Sequence, residues 1–529
     1  MPGQPKNPIE YINVYLLKAD ITQAEAAIVQ EKNPQSVKAA SGVLNGGTLF
    51  YQAPPPNPVG WQSFLRPAFG TEVDRFRSQH ASAVLLFPAG GRTFAVTFGY
   101  GRSLLAESAL EPDFGLRTAL HLCEPSTLRA VDYRTIEERT RIGRVQLSEE
   151  GSVSAFRMDM DTDLLRGLEA RSNDQTVCER LGARWSNLTV GARVEIKDLP
   201  ALAAKLLNSY RKRKLPPDFE WIDNVRRVTD PSLVADLDAE LESRLDGGQY
   251  TGIRLAMPEM TGGALGMDAK FFKPNGISFD ANMATYLNAR SPRCGATIHA
   301  AKHNHHVVLV DSASGNERHS LAVYRCIIAE IKYRNELYLL ADGEWFALDE
   351  DFVAKVNKAM GNIPVLKPDW PAWKAGEAEG HYSKRVHEAL KGSTLLDAKN
   401  ISYGGGKSKI EAADLLTKTR ILCHAKRIDQ GSKSLSHLFA QGTVAATAIS
   451  QSHDFRKKVA QHVTPENRTL ATELGKLKFD PKGWTVAYAL LGADPNKPTH
   501  SLPFFAKVNL KKHIERLLAM QYKVAIIGI

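Results

Sequence analysis

The 529-residue chain has no run approaching the roughly 20 apolar residues that a membrane-crossing helix requires, so helical membrane proteins are not expected. Its start, MPGQPKNPIEYINVYLLK, lacks a basic segment followed by an apolar stretch and a small-residue cleavage site, and a cytoplasmic location is expected. Cysteine is scarce. The five residues Cys123, Cys178, Cys294, Cys326 and Cys423 form no CxxC pair, which speaks against a zinc ribbon, a thioredoxin-like site and a disulfide framework. Reduced, buried thiols are expected instead. Internal repeats and long low-complexity tracts are missing too. What remains is ordinary globular material, 43% hydrophobic and 24% charged, with length enough for several domains.

Charge is unevenly spread. Residues 371–529 hold 25 Lys and Arg against 13 Asp and Glu, whereas the rest of the chain holds 43 against 45. The net charge of +10 therefore comes entirely from the last third. A basic domain joined to a neutral body suits a polyanion ligand, although a solvated surface has the same composition.

Local patterns predict an α+β multidomain protein in three parts. Residues 1–230 read as an N-terminal α/β regulatory or sensing region, 231–368 as a middle α+β region with a β-hairpin, and 369–529 as a basic C-terminal domain. A strand is expected at 12–17, and a hairpin at 83–87 and 93–98 around the turn at 88–91. Gly99-Tyr100-Gly101-Arg102 lacks the third glycine of a dinucleotide loop, because Leu104 stands there, and reads as a turn. Helices follow at 200–214 and 231–245. Strands are expected at 323–331, 336–340 and 345–348, the last two joined by Asp342-Gly343. His303, His305 and His306 have no acidic or thiol ligand nearby and read as exposed polar residues, not a zinc site. After a Pro/Trp-rich junction at 364–373, the pattern predicts a helix at 377–391 and strands at 410–416 and 420–426. Helices at 434–450 and 453–462, a strand at 485–491, a helix at 508–520 and a strand at 523–529 complete the chain.

Gly406-Lys407-Ser408 is similar to the end of a phosphate-binding loop. Ile401 occupies the place of the required first glycine and a strand follows, so a plain loop is expected. A sharper pattern lies just beyond. Strand alternation puts His424 and Lys426 on one face, Asp414 sits on the neighbouring strand, and Glu379 lies on the preceding helix. Carboxylates of this kind hold Mg²⁺ or Mn²⁺, the metal lowers the pKa of a bound water, and an ammonium steadies developing charge. In a regular strand Glu411 faces away from Asp414, and it joins the metal shell only through a bulge. Arg427, Lys433, Ser436, His437, Gln441, Arg456 and Lys457 are the expected nucleic-acid contacts. A plain N-cap and solvated helix faces are the alternatives.

His424-Ala425-Lys426-Arg427 resembles the core of the PD-(D/E)xK nucleases, and more narrowly the Gln-x-Lys-Arg strand end of Mrr-type restriction nucleases, with His in the Gln place. The resemblance implies a C-terminal restriction-endonuclease-like α/β domain, a small mixed sheet flanked by helices. It maps the metal-binding aspartate to Asp414, the catalytic lysine to Lys426 and the helix-borne glutamate to Glu379. His424 stands where most of that superfamily has Asp or Glu, and imidazole is a poor Mg²⁺ ligand. Either Glu411 or Glu379 then completes the shell, or His424 serves as a base, or Lys426 and Arg427 grip phosphate without cutting it. Over nearly the whole chain there is a second resemblance, to a large, sporadically distributed family of uncharacterised bacterial proteins. It rests on Phe98-Gly99-Tyr100-Gly101-Arg102, Asp113-Phe114-Gly115-Leu116-Arg117, Asp342-Gly343-Glu344-Trp345, Leu435-Ser436-His437-Leu438-Phe439-Ala440-Gln441-Gly442 and Leu502-Pro503-Phe504-Phe505-Ala506-Lys507. Patchy distribution of that kind implies mobile defence loci.

The expectation is therefore a metal-dependent endonuclease-like protein that acts on DNA in preference to RNA in bacterial anti-phage defence. The N-terminal region would meet a trigger or protein partner, and self-association is allowed. A catalytically inactive nucleic-acid binder and a protein-interaction scaffold with an acidic partner are the rivals.

Overall fold

The computed structural model describes residues 9–21, 23–40, 42–135, 142–250, 252–255, 267–271, 286, 297–311, 317–397, 399–403, 409–428 and 431–529. The chain is mixed α+β and divides into two compact units, Met1–Arg134 with Ile142–Asp223, and Thr135–Arg141 with Asn224–Ile529. The first division falls near the expected end of the N-terminal region. The boundary expected at 368/369 lies inside the second unit, because middle and C-terminal elements pack together there. Glu330 accepts hydrogen bonds from the Phe504 and Phe505 amides at 2.5 and 3.2 Å, and Phe352 meets Phe504 edge-on with ring centroids 5.4 Å apart.

The first unit is built on a ten-stranded antiparallel sheet. Its strands are β1 (Glu10–Leu16), β2 (Gln35–Lys38), β3 (Thr48–Gln52), β4 (Ser82–Ala89), β5 (Arg92–Gly99), β6 (Leu128–Thr135), β7 (Ile142–Gly151), β8 (Asp163–Arg171), β9 (Arg180–Arg184) and β10 (Asn187–Ala192). They lie in the order β2-β3-β4-β5-β1-β10-β9-β8-β6-β7. One face buries Ile12, Val14 and Leu16 against the helices α1 (Phe114–Leu122) and α2 (Leu199–Tyr210). Tyr15 and Leu17 join Val84, Leu86 and Ala95 in a second core on the opposite face, so this half of the sheet reads as nearly continuous apolar runs. From β10 to β7 the strands alternate instead, with Leu181 and Ala183 inward and Arg180 and Arg184 exposed.

The Phe98–Arg102 motif is a close approach of two backbones, as its reading as a turn requires. Gly99 has φ +56°, and a Cβ built there lies 2.4 Å from the Ala81 carbonyl oxygen, while one on Gly101 lies 1.9 Å from that of Ala83. Replacing Gly101 by Ala should cost about 2–3 kcal/mol, the usual penalty of forcing backbone apart, and lower the urea midpoint without altering the slope.

In the second unit β11 (Val225–Arg227), β12 (Ile253–Leu255), β13 (Ile327–Tyr333), β14 (Glu336–Ala341) and β15 (Glu344–Leu348) form a sheet in the order β11-β15-β14-β13-β12. Asp342 and Gly343 both have positive φ, 56° and 78°, and turn β14 into β15 as the sequence predicts. The strand expected at 323–331 starts late, because Val323–Cys326 forms a helical turn. His305 is buried with its Nδ1 2.9 Å from the Tyr286 hydroxyl, so it is not the exposed residue expected.

The C-terminal part runs α3 (Glu379–Ala389), β16 (Thr394–Leu395), β17 (Asn400–Ser402), β18 (Lys409–Glu411), β19 (Leu415–Leu416), β20 (Ile421–Arg427), α4 (Gly431–Gln451), α5 (His453–His462), α6 (Arg468–Leu474), β21 (Thr485–Leu491), α7 (Phe504–Ala519) and β22 (Lys523–Gly528). Its main sheet has the order β16-β19-β20-β21-β22. The pairs β16–β19 and β19–β20 are antiparallel, and β20–β21 and β21–β22 are parallel. Leu422, Val486, Tyr488 and Leu490 pack with Leu435, Leu438 and Phe439 of α4, whereas Cys423, Ala425, Ala487 and Ala489 pack with Tyr382 and Val386 of α3. Gly406, Lys407 and Ser408 lie outside the described residues.

Candidate functional site

The site forms where β20 loses its antiparallel neighbour. β19 pairs with β20 only at Leu415↔Cys423 and Leu416↔Leu422. Beyond that, carboxylates take the place of a strand. Asp414 Oδ2 accepts from the Ala425 amide at 2.6 Å, and Glu379 Oε1 accepts from the Arg427 amide at 3.2 Å. Amides two residues apart in a strand point to the same edge, so the two acids are spaced along it by about 7 Å of strand rise. The other oxygen of Glu379 accepts from Lys426 Nζ at 2.6 Å. Glu379 occupies the first turn of α3, where the helix dipole favours a negative charge.

Asp414 is not on a regular strand as the sequence predicts. The strand expected over 410–416 breaks at Ala412–Asp414, where both alanines are fully buried and the chain steps between β18 and β19. The break brings Glu411 round to the side of Asp414 without a bulge. Backbone bonds lock the step: the Asp414 amide donates to the Cys423 carbonyl, and the Leu396 and Asp397 amides both donate to the Asp414 carbonyl at 2.9 and 3.0 Å. Oxygens of Asp397, Glu411 and Asp414 consequently lie within 4.8 Å of one another. Burial first, and then the charges of Glu411, Asp397 and Glu379, push the Asp414 carboxyl up to about 7 against the pull of the Ala425 N–H. Three convergent carboxylates with one proton affinity raised to neutrality are a donor set suited to a hard divalent cation. Asp397 was not among the residues expected; no spacing or motif marks it, since only backbone pairing carries it to Asp414.

His424 does not join this group. Its ring is buried in register with Tyr488, centroids 6.2 Å apart, and its Nε2 has no hydrogen-bond partner among the described residues. Burial drives its pKa down to about 4, so it is a neutral core residue at pH 7, 2% exposed and outside the carboxylate cluster. A histidine with a depressed folded pKa contributes stability that is full above its unfolded value, near 6.5, and lost as the pH falls toward 4. Relative to His424→Leu, the parent chain should therefore lose on the order of 3 kcal/mol between pH 7 and pH 4, read as a difference in urea unfolding free energies. Asp414 has the opposite slope over the same window, which the difference removes.

The expected nucleic-acid contacts separate into several kinds. Arg427 lies at the end of β20 with its guanidinium 5.7 Å from the Trp373 ring centroid. His437 and Lys457 are exposed, and Ser436 and Gln441 are half-buried on their helices. The side chain of Lys433 lies outside the described residues. Arg456 is a correction: it is 2% exposed, and its guanidinium donates to the carbonyls of Ile449, Ser450, Leu474, Lys476 and Leu477. All five of its N–H groups are used within the protein, leaving none for phosphate.

Fold and site together define a mixed α+β protein with a cluster of carboxylates and a Lys426–Glu379 ion pair at a strand edge. Residues 12–529 match the model of a family described as a family of unknown function, DUF6119, and the chain belongs to that family. No curated protein and no solved structure matches it.

Proposed function

We propose that the C-terminal part of this chain is a divalent-metal-dependent phosphodiesterase of the PD-(D/E)xK kind that cleaves DNA, serving in bacterial anti-phage defence. The observation that carries the reading is the edge of β20, where Asp414 and Glu379 are seated on alternate amides beside Lys426, with Asp397 and Glu411 converging on Asp414. The order of elements supports it as well: a helix, an antiparallel meander, a helical crossover and then a parallel strand.

Asp414, Asp397 and Glu411 are the residues that would hold Mg²⁺ or Mn²⁺. When bound, that ion supplies Lewis acidity toward a phosphodiester oxygen and a water of lowered pKa. Glu379 holds the Lys426 ammonium at the strand end, oriented to meet charge that develops on phosphate. Arg427, at the same end, provides a second cation for the backbone of the polymer. In this reading Asp397 serves as the acid that the sequence pattern has at residue 424, so the buried histidine is not needed as a ligand.

Supercoiled plasmid incubated with Mg²⁺, Mn²⁺ or chelator tests the reading. The parent chain should nick or linearise it only with the metals, and Lys426→Ala should slow this by about a hundredfold or more. Metal-independent cleavage, or equal rates in the two proteins, would sink it. Salt-sensitive binding without cleavage would instead favour an inactive nucleic-acid binder.

A further inference from the structure

The open half of the ten-stranded sheet carries features that the C-terminal site does not use. From β10 to β7 its uncovered face forms a groove of about 620 Å³, a size typical of ligand pockets. Strand register sets out its floor in rows. Tyr11, Gly191, Arg180 and Arg171 lie side by side across β1, β10, β9 and β8, and Asn13, Thr189, Gly182 and Glu169 form the next row. Two glycines in these strands, Gly191 and Gly182, keep the floor low. The Tyr11 ring lies over Gly191, with its Cε1 2.9 Å from where a Cβ would stand, yet the side chain remains 61% exposed. It is thus an aromatic side chain resting against the sheet and presented to solvent.

The charge balance of the groove favours an anion. Five arginines line it, at 129, 144, 171, 180 and 184, against three acids. The acids are already engaged: Asp132 with Arg144 and Arg184, Glu150 with Arg171, and Glu169 with Arg144. Arg129 donates to the Ser148 carbonyl at 2.6 Å. The exposed guanidinium of Arg180 makes no hydrogen bond or ion pair among the described residues, and it is one strand away from Gly191 and the Tyr11 ring. An exposed aromatic ring beside an unengaged planar cation, on a polar sheet face, provides what an unpaired base and its phosphate require. An acidic peptide matches the cation but leaves the ring unexplained.

We infer that this groove binds single-stranded nucleic acid, with a base stacked on Tyr11 and the adjoining phosphate at Arg180. The inference concerns the first unit alone and does not depend on the C-terminal site cutting DNA. A duplex has its bases stacked internally and cannot offer a face to Tyr11, so single strands are preferred.

The test uses the full chain in chelator, which silences any metal-dependent step, with fluorescently labelled 12-nucleotide single strands and the corresponding duplex followed by anisotropy. Three variants report on the groove. Tyr11→Ala should weaken single-strand binding by about tenfold and Tyr11→Phe should restore it, in line with the usual loss of one stacked base. Arg180→Ala should weaken it by several-fold and flatten its salt dependence. Gly182→Val fills the floor without disturbing the sheet, since a Cβ there meets nothing nearer than 3.6 Å, and it should block binding while leaving the melting curve unchanged. Full single-strand affinity in Tyr11→Ala and Gly182→Val, with loss only when Lys426 and Arg427 are replaced, would overturn the inference. So would an oligo-glutamate peptide that binds the groove more tightly than the oligonucleotide.

Discussion

Asp414→Asn should leave the protein folded and more stable in the absence of metal, yet blind to divalent cations. The Asp414 carboxyl is pushed up to about 7 by burial and by its acidic neighbours. A carboxylate with a raised folded pKa contributes stability that is complete below its unfolded value near 3.8 and is lost as the pH rises through 7. At pH 8 the ionised side chain therefore strains the site, and an amide that keeps an oxygen for the Ala425 N–H relieves it. A gain on the order of 2 kcal/mol is expected for the metal-free variant. The parent chain should recover stability when Mg²⁺ or Mn²⁺ is added, by about 2.7 kcal/mol at a hundred times the dissociation constant, and the variant should recover none. Because cation and proton compete for the same oxygens, affinity should rise by about tenfold per pH unit below 7 and level off above it. Plasmid cleavage should fall by about a thousandfold. Thermal melts of both proteins across pH 5.5–8.5, with and without metal, provide the readout. Equal cation-induced stabilisation in the two would separate Asp414 from any metal.

Part of this arrangement is legible in the sequence. The strand predicted at 485–491 and the helix at 453–462 have the observed bounds, because each has a strong period and clear breakers at its ends. The sequence predicts that Asp414, His424 and Lys426 share one side of the sheet with Glu379 beside them; in the structure Asp414 and Glu379 bind the edge of β20 at Ala425 and Arg427, and Lys426 pairs with Glu379. What local pattern does not contain is long-range backbone pairing. Asp397 is an ordinary loop aspartate until the Asp414 carbonyl accepts its amide. The sequence admits Glu411 to the metal shell only through a bulge, because alternation assumes an unbroken strand; the buried pair Ala412-Ala413 breaks the strand instead and brings Glu411 to Asp414. His424 occupies a motif position that suggests chemistry, but alternation equally places it with Leu422 over the Tyr488 core. The groove of the first unit was invisible for a related reason. Tyr11, Arg180 and Gly182 become neighbours only when β1, β10 and β9 are laid side by side.

Arg456 shows how a charge run misleads, and its replacement should be among the most damaging single changes in the second unit. In Arg456-Lys457-Lys458 all three residues look solvated, yet helical spacing puts Arg456 on the face of Phe455 and Val459, which are fully buried. The acceptors of its guanidinium lie at the C-terminal end of α4, at Ile449 and Ser450, and at and beyond that of α6, at Leu474, Lys476 and Leu477. Two helix ends, each with negative dipole charge and unpaired carbonyls, are thus closed by one cation, with the Phe479 ring 5.3 Å away. Arg456→Leu conserves bulk but strands these carbonyls, and should cost about 3–5 kcal/mol. Arg456→Lys keeps the charge but offers three donors without the planar fork, so an intermediate loss is expected. Neither change should alter the oligonucleotide affinity of the folded fraction. The exposed neighbour should do the reverse: Lys457→Ala leaves stability within about 0.5 kcal/mol, and it lowers the salt slope of binding by about one if that residue touches phosphate. Weakened DNA binding by Arg456→Lys at unchanged stability would return Arg456 to the ligand surface and refute its role as a clamp.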